Sequence, residues 1–116
     1  MTITRIGVGP RMSQAVVHAG KVYTAGVVAD KTAGKSVGEQ TGEILAQIDA
    51  LLAEAGSDKT KILKDNIWLT DMSRFGEMNA AWDAWVPQGH TPARATVESR
   101  LAGPQYTVEI MVEAAV

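Results

Sequence analysis

The 116-residue chain contains no cysteine. That excludes a disulfide scaffold, thiolate catalysis and thiolate metal centres. Its two histidines, His18 and His90, stand far apart with no second ligand at close spacing, so a zinc site is not expected. The opening Met-Thr-Ile-Thr-Arg-Ile-Gly has no apolar signal core, and no apolar run approaches the ~20 residues that a membrane-spanning helix needs. A cytoplasmic protein without a membrane partner is the expectation. A basic stripe is missing as well. The 11 Lys and Arg against 13 Asp and Glu leave a formal net charge of -2, which speaks against a nucleic-acid partner. Phosphate-loop signatures are absent too: Gly7-Val8-Gly9-Pro10 fits neither GxGxxG nor GxxxxGK[ST] and reads as a turn.

What is present is ordinary globular composition, 46% hydrophobic and 21% charged. The length predicts a single domain over residues 1–116, with one core and little room for a deep private pocket. A ligand site in so small a domain points to a partner subunit.

Short alternating segments at 2–6, 13–19 and 21–29 predict strands, the last two joined by a tight turn at Gly20-Lys21. Gly26 falls inside the third strand, where a glycine marks either a bulge or a close approach by a ligand. Residues 30–36 are polar and read as a loop. Ser36 and Glu39 form a capping-box pattern at the head of a helix whose apolar stripe is Ile44, Ile48, Leu51, Leu52 and Ala55. Gly56 is placed to end it. Glu43, Gln47, Asp49 and Glu54 lie off that stripe and read as solvated. A β-prone run follows over 62–71. Then Ser73 is the expected cap of a second helix over 74–86, with Phe75, Met78, Trp82, Trp85 and Val86 as its apolar positions. Asn79 lies on or beside that buried stripe, so its amide is either satisfied by backbone or turned to a cleft. The element order predicts an α+β fold, a mixed sheet with both helices on one face.

The last quarter carries the chemistry. Residues 92–99 and 106–115 read as two strands joined through Gly103-Pro104. Alternation puts Arg94, Thr96 and Glu98 on one face of the first, and Thr107, Glu109, Met111 and Glu113 on one face of the second. A hairpin centred on Leu101-Ala102 sets Arg94 opposite Glu109, provided no bulge shifts the register. Such a pair is either a cross-strand salt bridge, worth roughly 0.2–1 kcal/mol, or a self-neutralising pair inside an oligomer, or a site. As a site, Arg94 supplies a planar fork for a substrate carboxylate and Glu109 a group that handles water.

At this point the residues resemble the RidA/YjgF family. Pro92-Ala93-Arg94-Ala95-Thr96-Val97-Glu98, the Gly-Pro turn and Val108-Glu109-Ile110 are similar to its C-terminal signature. Ser13-Gln14-Ala15, Thr24-Ala25-Gly26, Glu54-Ala55-Gly56, Leu69-Thr70-Asp71-Met72 and Phe75-Gly76-Glu77-Met78-Asn79 match in the family's order. The segment from Met78 to Val86 looks most like the YoaB-type branch. The resemblance implies a chorismate-mutase-like α+β fold, with six strands and two helices on one face. It also implies a homotrimer with clefts between subunits, and hydrolysis of reactive enamines and imines such as 2-aminoacrylate to 2-keto acids and ammonia. No cofactor and no metal is implied. Carried over, Arg94 binds the substrate carboxylate, backbone at Gly26 and Thr96 completes its cradle, Glu109 activates or orients water, and Asn79 faces the cleft. Three positions depart from the family pattern. Arg11 or Met12 stands where the family has an aromatic hydroxyl, Ala25 replaces a common serine, and Thr96 replaces a frequent cysteine. The alternative function is a non-catalytic module that binds a 2-keto acid and reports it to a partner. Ribonuclease activity, described for some relatives, ranks third because no basic stripe is present.

Overall fold

The structure is a computed structural model that describes residues 2–116. Its elements are strands β1 (Thr4–Ile6), β2 (Ala15–His18) and β3 (Lys21–Thr24), helix α1 (Val37–Glu54), strand β4 (Ile62–Leu69), helix α2 (Phe75–Trp85), and strands β5 (Ala93–Glu98) and β6 (Val108–Ala115). Two single 3-10 turns, Lys59–Lys61 and Met72–Arg74, lead into β4 and α2.

All six strands form one mixed sheet in the order β1-β2-β3-β6-β4-β5. The first three make an antiparallel meander. The β2–β3 turn is Ala19-Gly20, one residue earlier than expected, because His18 pairs directly with Lys21. Both turn residues have positive φ, 53° and 78°, the twist a two-residue hairpin requires. β3 stops at Thr24, and the chain rejoins the sheet at Val27, which bridges to Ile110.

The expected hairpin of the last two strands does not form. β4 lies between them, parallel to β5 and antiparallel to β6. Burial explains the arrangement. β6 alternates strictly, with Val108, Ile110, Val112 and Ala114 all buried, and it takes the centre of the sheet. β5 has no fully buried residue and takes the edge. α2 carries the chain back across the sheet between β4 and β5, so those two run parallel.

The helices cover one face. Ile44, Leu45, Ile48 and Leu52 of α1 and Met78 and Trp82 of α2 join Val22, Ile67, Leu69, Val108, Ile110 and Val112 in a single core cluster. The head of α1 is capped as the sequence suggests: Ser36 Oγ accepts from the Glu39 N–H at 3.2 Å, and the two side chains bond to each other at 3.0 Å. Another N–H of the first turn, that of Gly38, donates to Glu77 of α2 at 2.8 Å, which ties the helices together. At its tail, Gly56 takes φ 82°; the Gly56 and Ser57 N–H groups donate to the carbonyls of Ala53 and Leu52. Ser73 does not cap α2. Asp71 caps the preceding turn instead, accepting from the Ser73 N–H at 3.0 Å. Among the described residues no helix is long and apolar enough to cross a membrane.

The polar residues of α1 are not idle. Glu43 accepts from the Asp30 and Thr32 N–H groups and the Thr32 hydroxyl at 2.7–2.8 Å, and from Gln47, so it clasps the loop that follows the meander. Burial alone raises its pKa; these four bonds outweigh that and bring it down to about 2. Asp49 accepts from the Trp85 indole N–H at 3.0 Å.

Candidate functional site

The register decides where each charge points. Arg94 is beside Asp65, Thr96 beside Ile67 and Glu98 beside Leu69. Those β4 residues are in turn beside Val112, Ile110 and Val108 of β6, which pack under the helices. Arg94, Thr96 and Glu98 therefore lie on the helix side of the sheet. Glu109 pairs with Trp68 and lies on the opposite side, with Met111 and Glu113. The expectation that Arg94 and Glu109 share a face is overturned. Inserting β4 between β5 and β6 reverses which half of the β5 alternation meets the helices. Ala93, Ala95 and Val97 point away from them, with Val97 50% exposed.

The helix-side cluster is built by α2 and the edge strand. The Arg94 guanidinium lies 5.2 Å from the Trp82 ring centre and 5.7 Å from that of Phe75. Each such contact is worth roughly 0.5–1 kcal/mol at an exposed site. Among the described residues the one ion pair within 4 Å joins Arg74 to Glu77, so Arg94 has no carboxylate at that distance. Phe75, Asn79 and Trp82 fall at i, i+4 and i+7, so Asn79 belongs to the stripe over which Arg94 lies. Its Oδ1 is buried with no hydrogen-bond partner among the described residues, as are Thr96 Oγ1 and both carboxylate oxygens of Asp65. Neither expectation for Asn79 includes that outcome within one chain: its carbonyl oxygen is neither bonded to backbone nor open to solvent. A buried polar group left unpaired costs about 1–3 kcal/mol. Four such atoms on three neighbouring elements, β4, α2 and β5, mark this as the most polar-frustrated part of the fold.

Asp65 is the residue that sequence reasoning missed. It is fully buried, and burial raises its pKa from 3.8 to about 7, against the opposing pull of Arg94. The signal was available. A carboxylate two residues before Ile67 and four before Leu69 shares their inward face in any strand reading.

The second cluster is on the other side. Glu109 is half-buried and fills the space that a side chain at Gly26 would need; a Cβ there would overlap its carboxylate. The glycine is thus explained by close approach, and the approaching group is Glu109 itself. The loop bearing Arg11 and Met12 is anchored next to this pair. Gln14 bonds through its backbone to Ile6 and Ala25, and the Gly9 N–H closes a turn on the Met12 carbonyl at 2.9 Å. Arg11 and Met12 are both exposed and hydrogen-bond to neither Arg94 nor Glu109. A small cavity of about 210 Å³ lies beside Glu109, lined by Trp68, Ser99, Arg100, Leu101 and Ala102. Among the described residues no three His, Asp or Glu side chains gather closely enough to hold a metal ion.

One chain thus carries two partial constellations, Arg94 with Thr96 and Asn79, and Glu109 with Gly26, on opposite sides of its sheet. Comparison with known proteins shows the family. The family model described as Endoribonuclease L-PSP matches residues 2–116. The chain belongs to the RidA/YjgF family. The RutC family protein YoaB of Escherichia coli K12 is 47% identical over 116 residues, all of both chains. This YjgF-family chain also superimposes on a crystal structure of a YjgF family member from Neisseria meningitidis with a TM-score of 0.96. The two are 49% identical, and the match covers 99% of this chain and 95% of that one. A structure named as a putative translation initiation inhibitor from Salmonella typhimurium gives a TM-score of 0.89 at 43% identity, covering 99% and 98%. The chorismate-mutase-like α+β architecture expected from the sequence is the one these YjgF neighbours have.

Proposed function

We propose that this protein hydrolyses small 2-imino acids, or their enamine tautomers of the 2-aminoacrylate type, to 2-keto acids and ammonia. The carrying observation is Arg94: a guanidinium at a sheet edge, held over Phe75 and Trp82 with no carboxylate within ion-pair distance. A fork so placed is suited to a carboxylate from outside the chain. Glu109 then orients a water for attack on the imine carbon. The water oxygen bonds to that carbon and one of its protons passes to nitrogen; the carbon–nitrogen bond of the resulting carbinolamine then breaks as the hydroxyl proton also moves to nitrogen, leaving the keto carbonyl and ammonia. Backbone at Gly26 and Thr96 completes the cradle, and Asn79, Arg11 and Met12 border it.

Because Arg94 and Glu109 lie on opposite sides of one sheet, a substrate that meets both does so between two chains. This supports a site shared between subunits, in the homotrimer that the family resemblance implies, with the edge strand β5 and α2 of one subunit facing Gly26 and Glu109 of the next. RNA hydrolysis gains no support here. The net charge is -2, and Trp82 and Trp85 are engaged by Arg94, Lys59 and Asp49 rather than offered to bases.

The test is keto-acid release from imines generated by an amino-acid oxidase. Wild-type protein should speed release and Arg94→Ala should not, with the fold retained. Equal rates with and without wild-type protein across several amino acids would sink the reading. A second reading, binding of a 2-keto acid without turnover, draws on the exposed Arg11-Met12 pair standing where the family carries an aromatic hydroxyl. It predicts saturable keto-acid binding that survives Glu109→Gln and is lost in Arg94→Ala.

A further inference from the structure

Asp65 has no role in the reaction just described, yet the fold pays heavily for it. The strand that carries it is otherwise apolar on its inward side, with Ile67 and Leu69 in line. An apolar residue there would leave no orphan. Its surroundings offer one group to answer its charge. On β5 its register partner is Arg94. On β6 the partner is Val112, which is uncharged. α2 brings Met78, Trp82 and Asn79 to this side, and α1 brings Ile44, Ile48 and Leu52 to the core, none of them charged. Lys64 and Asn66, its neighbours along β4, point to the opposite face. Adjacent strands lie about 4.8 Å apart, so a long guanidinium side chain can swing between the carboxyl beneath it and the rings of Trp82 and Phe75. In the structure it lies over the rings, and both Asp65 oxygens are unpartnered.

We propose that Asp65 is a positioning residue for Arg94: ionised, it draws the guanidinium inward and competes with the ligand; protonated, it releases the guanidinium, so that a carboxylate ligand binds together with one proton from solvent. The inference rests on the reading of Arg94 as the carboxylate anchor. Burial already places Asp65 near neutrality, at about 7 with Arg94 beside it. Once a bound carboxylate neutralises Arg94, the pull that lowers the Asp65 pKa is gone, and the proton is held more tightly. Below about pH 7 the site is already protonated and affinity is constant. Above it, ligand and proton bind together, and affinity falls by up to about tenfold per pH unit.

The experiment is calorimetric titration of the intact protein with pyruvate, itself fully ionised throughout, from pH 5.5 to 9. Repeating it at pH 8 in buffers of different ionisation heat counts the protons taken up. The wild type should give a flat affinity to about pH 7, a decline above it and uptake approaching one proton at pH 8. Asp65→Asn should bind at pH 8.5 as tightly as the wild type at pH 6, with no slope and no uptake. A wild type that binds pyruvate with no pH slope and no proton uptake overturns the proposal and leaves Arg94 as anchor untouched. So does an Asp65→Asn protein that keeps the wild-type slope. If Asp65→Asn fails to fold, the wild-type proton count decides alone. If the wild type binds no pyruvate at any pH, the anchor reading falls and this inference falls with it.

Discussion

The two sides of the sheet hold their charged groups by different means. On the helix side, Arg94 rests on aromatic rings above a buried carboxyl that no donor serves, so the state of each depends on the other. On the far side, Glu109 is placed by shape: a missing side chain at Gly26 leaves room for its carboxylate, and the backbone next to both is fixed by the bridge between Val27 and Ile110 of β6. Electrostatic placement is tunable by a proton; steric placement is not. Glu43 completes the contrast from outside the site. It is a carboxylate like Asp65, but four hydrogen bonds serve it and bring its pKa down to about 2.

These differences can be broken one at a time. The largest effect is expected on stability at Asp65. Its folded pKa, about 7, is above the ordinary 3.8, so the folded state favours the protonated form. No penalty exists below about pH 4. It grows as pH rises toward 7 and levels off above. At ~1.4 kcal/mol for each pKa unit it reaches on the order of 4 kcal/mol at most. Asp65→Asn removes that loss, so urea denaturation at pH 8 should find the variant more stable than the wild type, with the gap closing at pH 4. Next comes Arg94→Ala. Losing the charge that meets a ligand carboxylate costs roughly 2–5 kcal/mol, at least about 30-fold in keto-acid affinity. The melting temperature should fall by several degrees, because the contacts of the guanidinium with Phe75 and Trp82, roughly 0.5–1 kcal/mol each, are lost with it.

Gly26→Ala should cost about 1–3 kcal/mol of stability by overpacking against Glu109. Imine hydrolysis should drop more than pyruvate binding does. The penalty should shrink in a Glu109→Ala background, since the overlapped group is then gone; equal penalties in both backgrounds would show that Gly26 is needed for another reason. The smallest effect is expected at Glu43→Gln, about 1 kcal/mol. Its folded pKa is lowered, so its contribution is present above pH 4.5 and is lost as pH falls toward 2, the opposite sign from Asp65. Acid titration of the two variants side by side checks both signs.

Much of this was legible in the residues. The capping box at Ser36 and Glu39, the stop at Gly56 and the strand at 106–115 follow from local rules; the structure has the first two, and the strand runs over Val108–Ala115. The place of β5 was not legible. Alternation tells which residues of a strand share a face, but not which face meets the core. That depends on which strand lies alongside, and a Gly-Pro link between two strands does not require them to pair. The spacing of Asn79 from Phe75 and Trp82 marks it in the sequence, whereas Asp65 is one residue within a run that reads simply as β-prone. A strand segment rich in Ile, Trp and Leu draws attention away from the one carboxylate that its period of two turns inward.

The central position of β6 has a consequence for how the molecule is made. It joins β3 to β4, and it is synthesised after every strand it touches. Until residues 108–115 clear the ribosome, the meander and the β4–α2–β5 unit have no sheet in common. They remain two incomplete pieces, each with an open hydrogen-bonding edge. Closure by β6 is therefore a late, long-range event, the kind that slows folding and lengthens exposure to aggregation. Substitutions that weaken β6 pairing should reduce the yield of folded protein from cells more than they reduce the stability of the finished molecule.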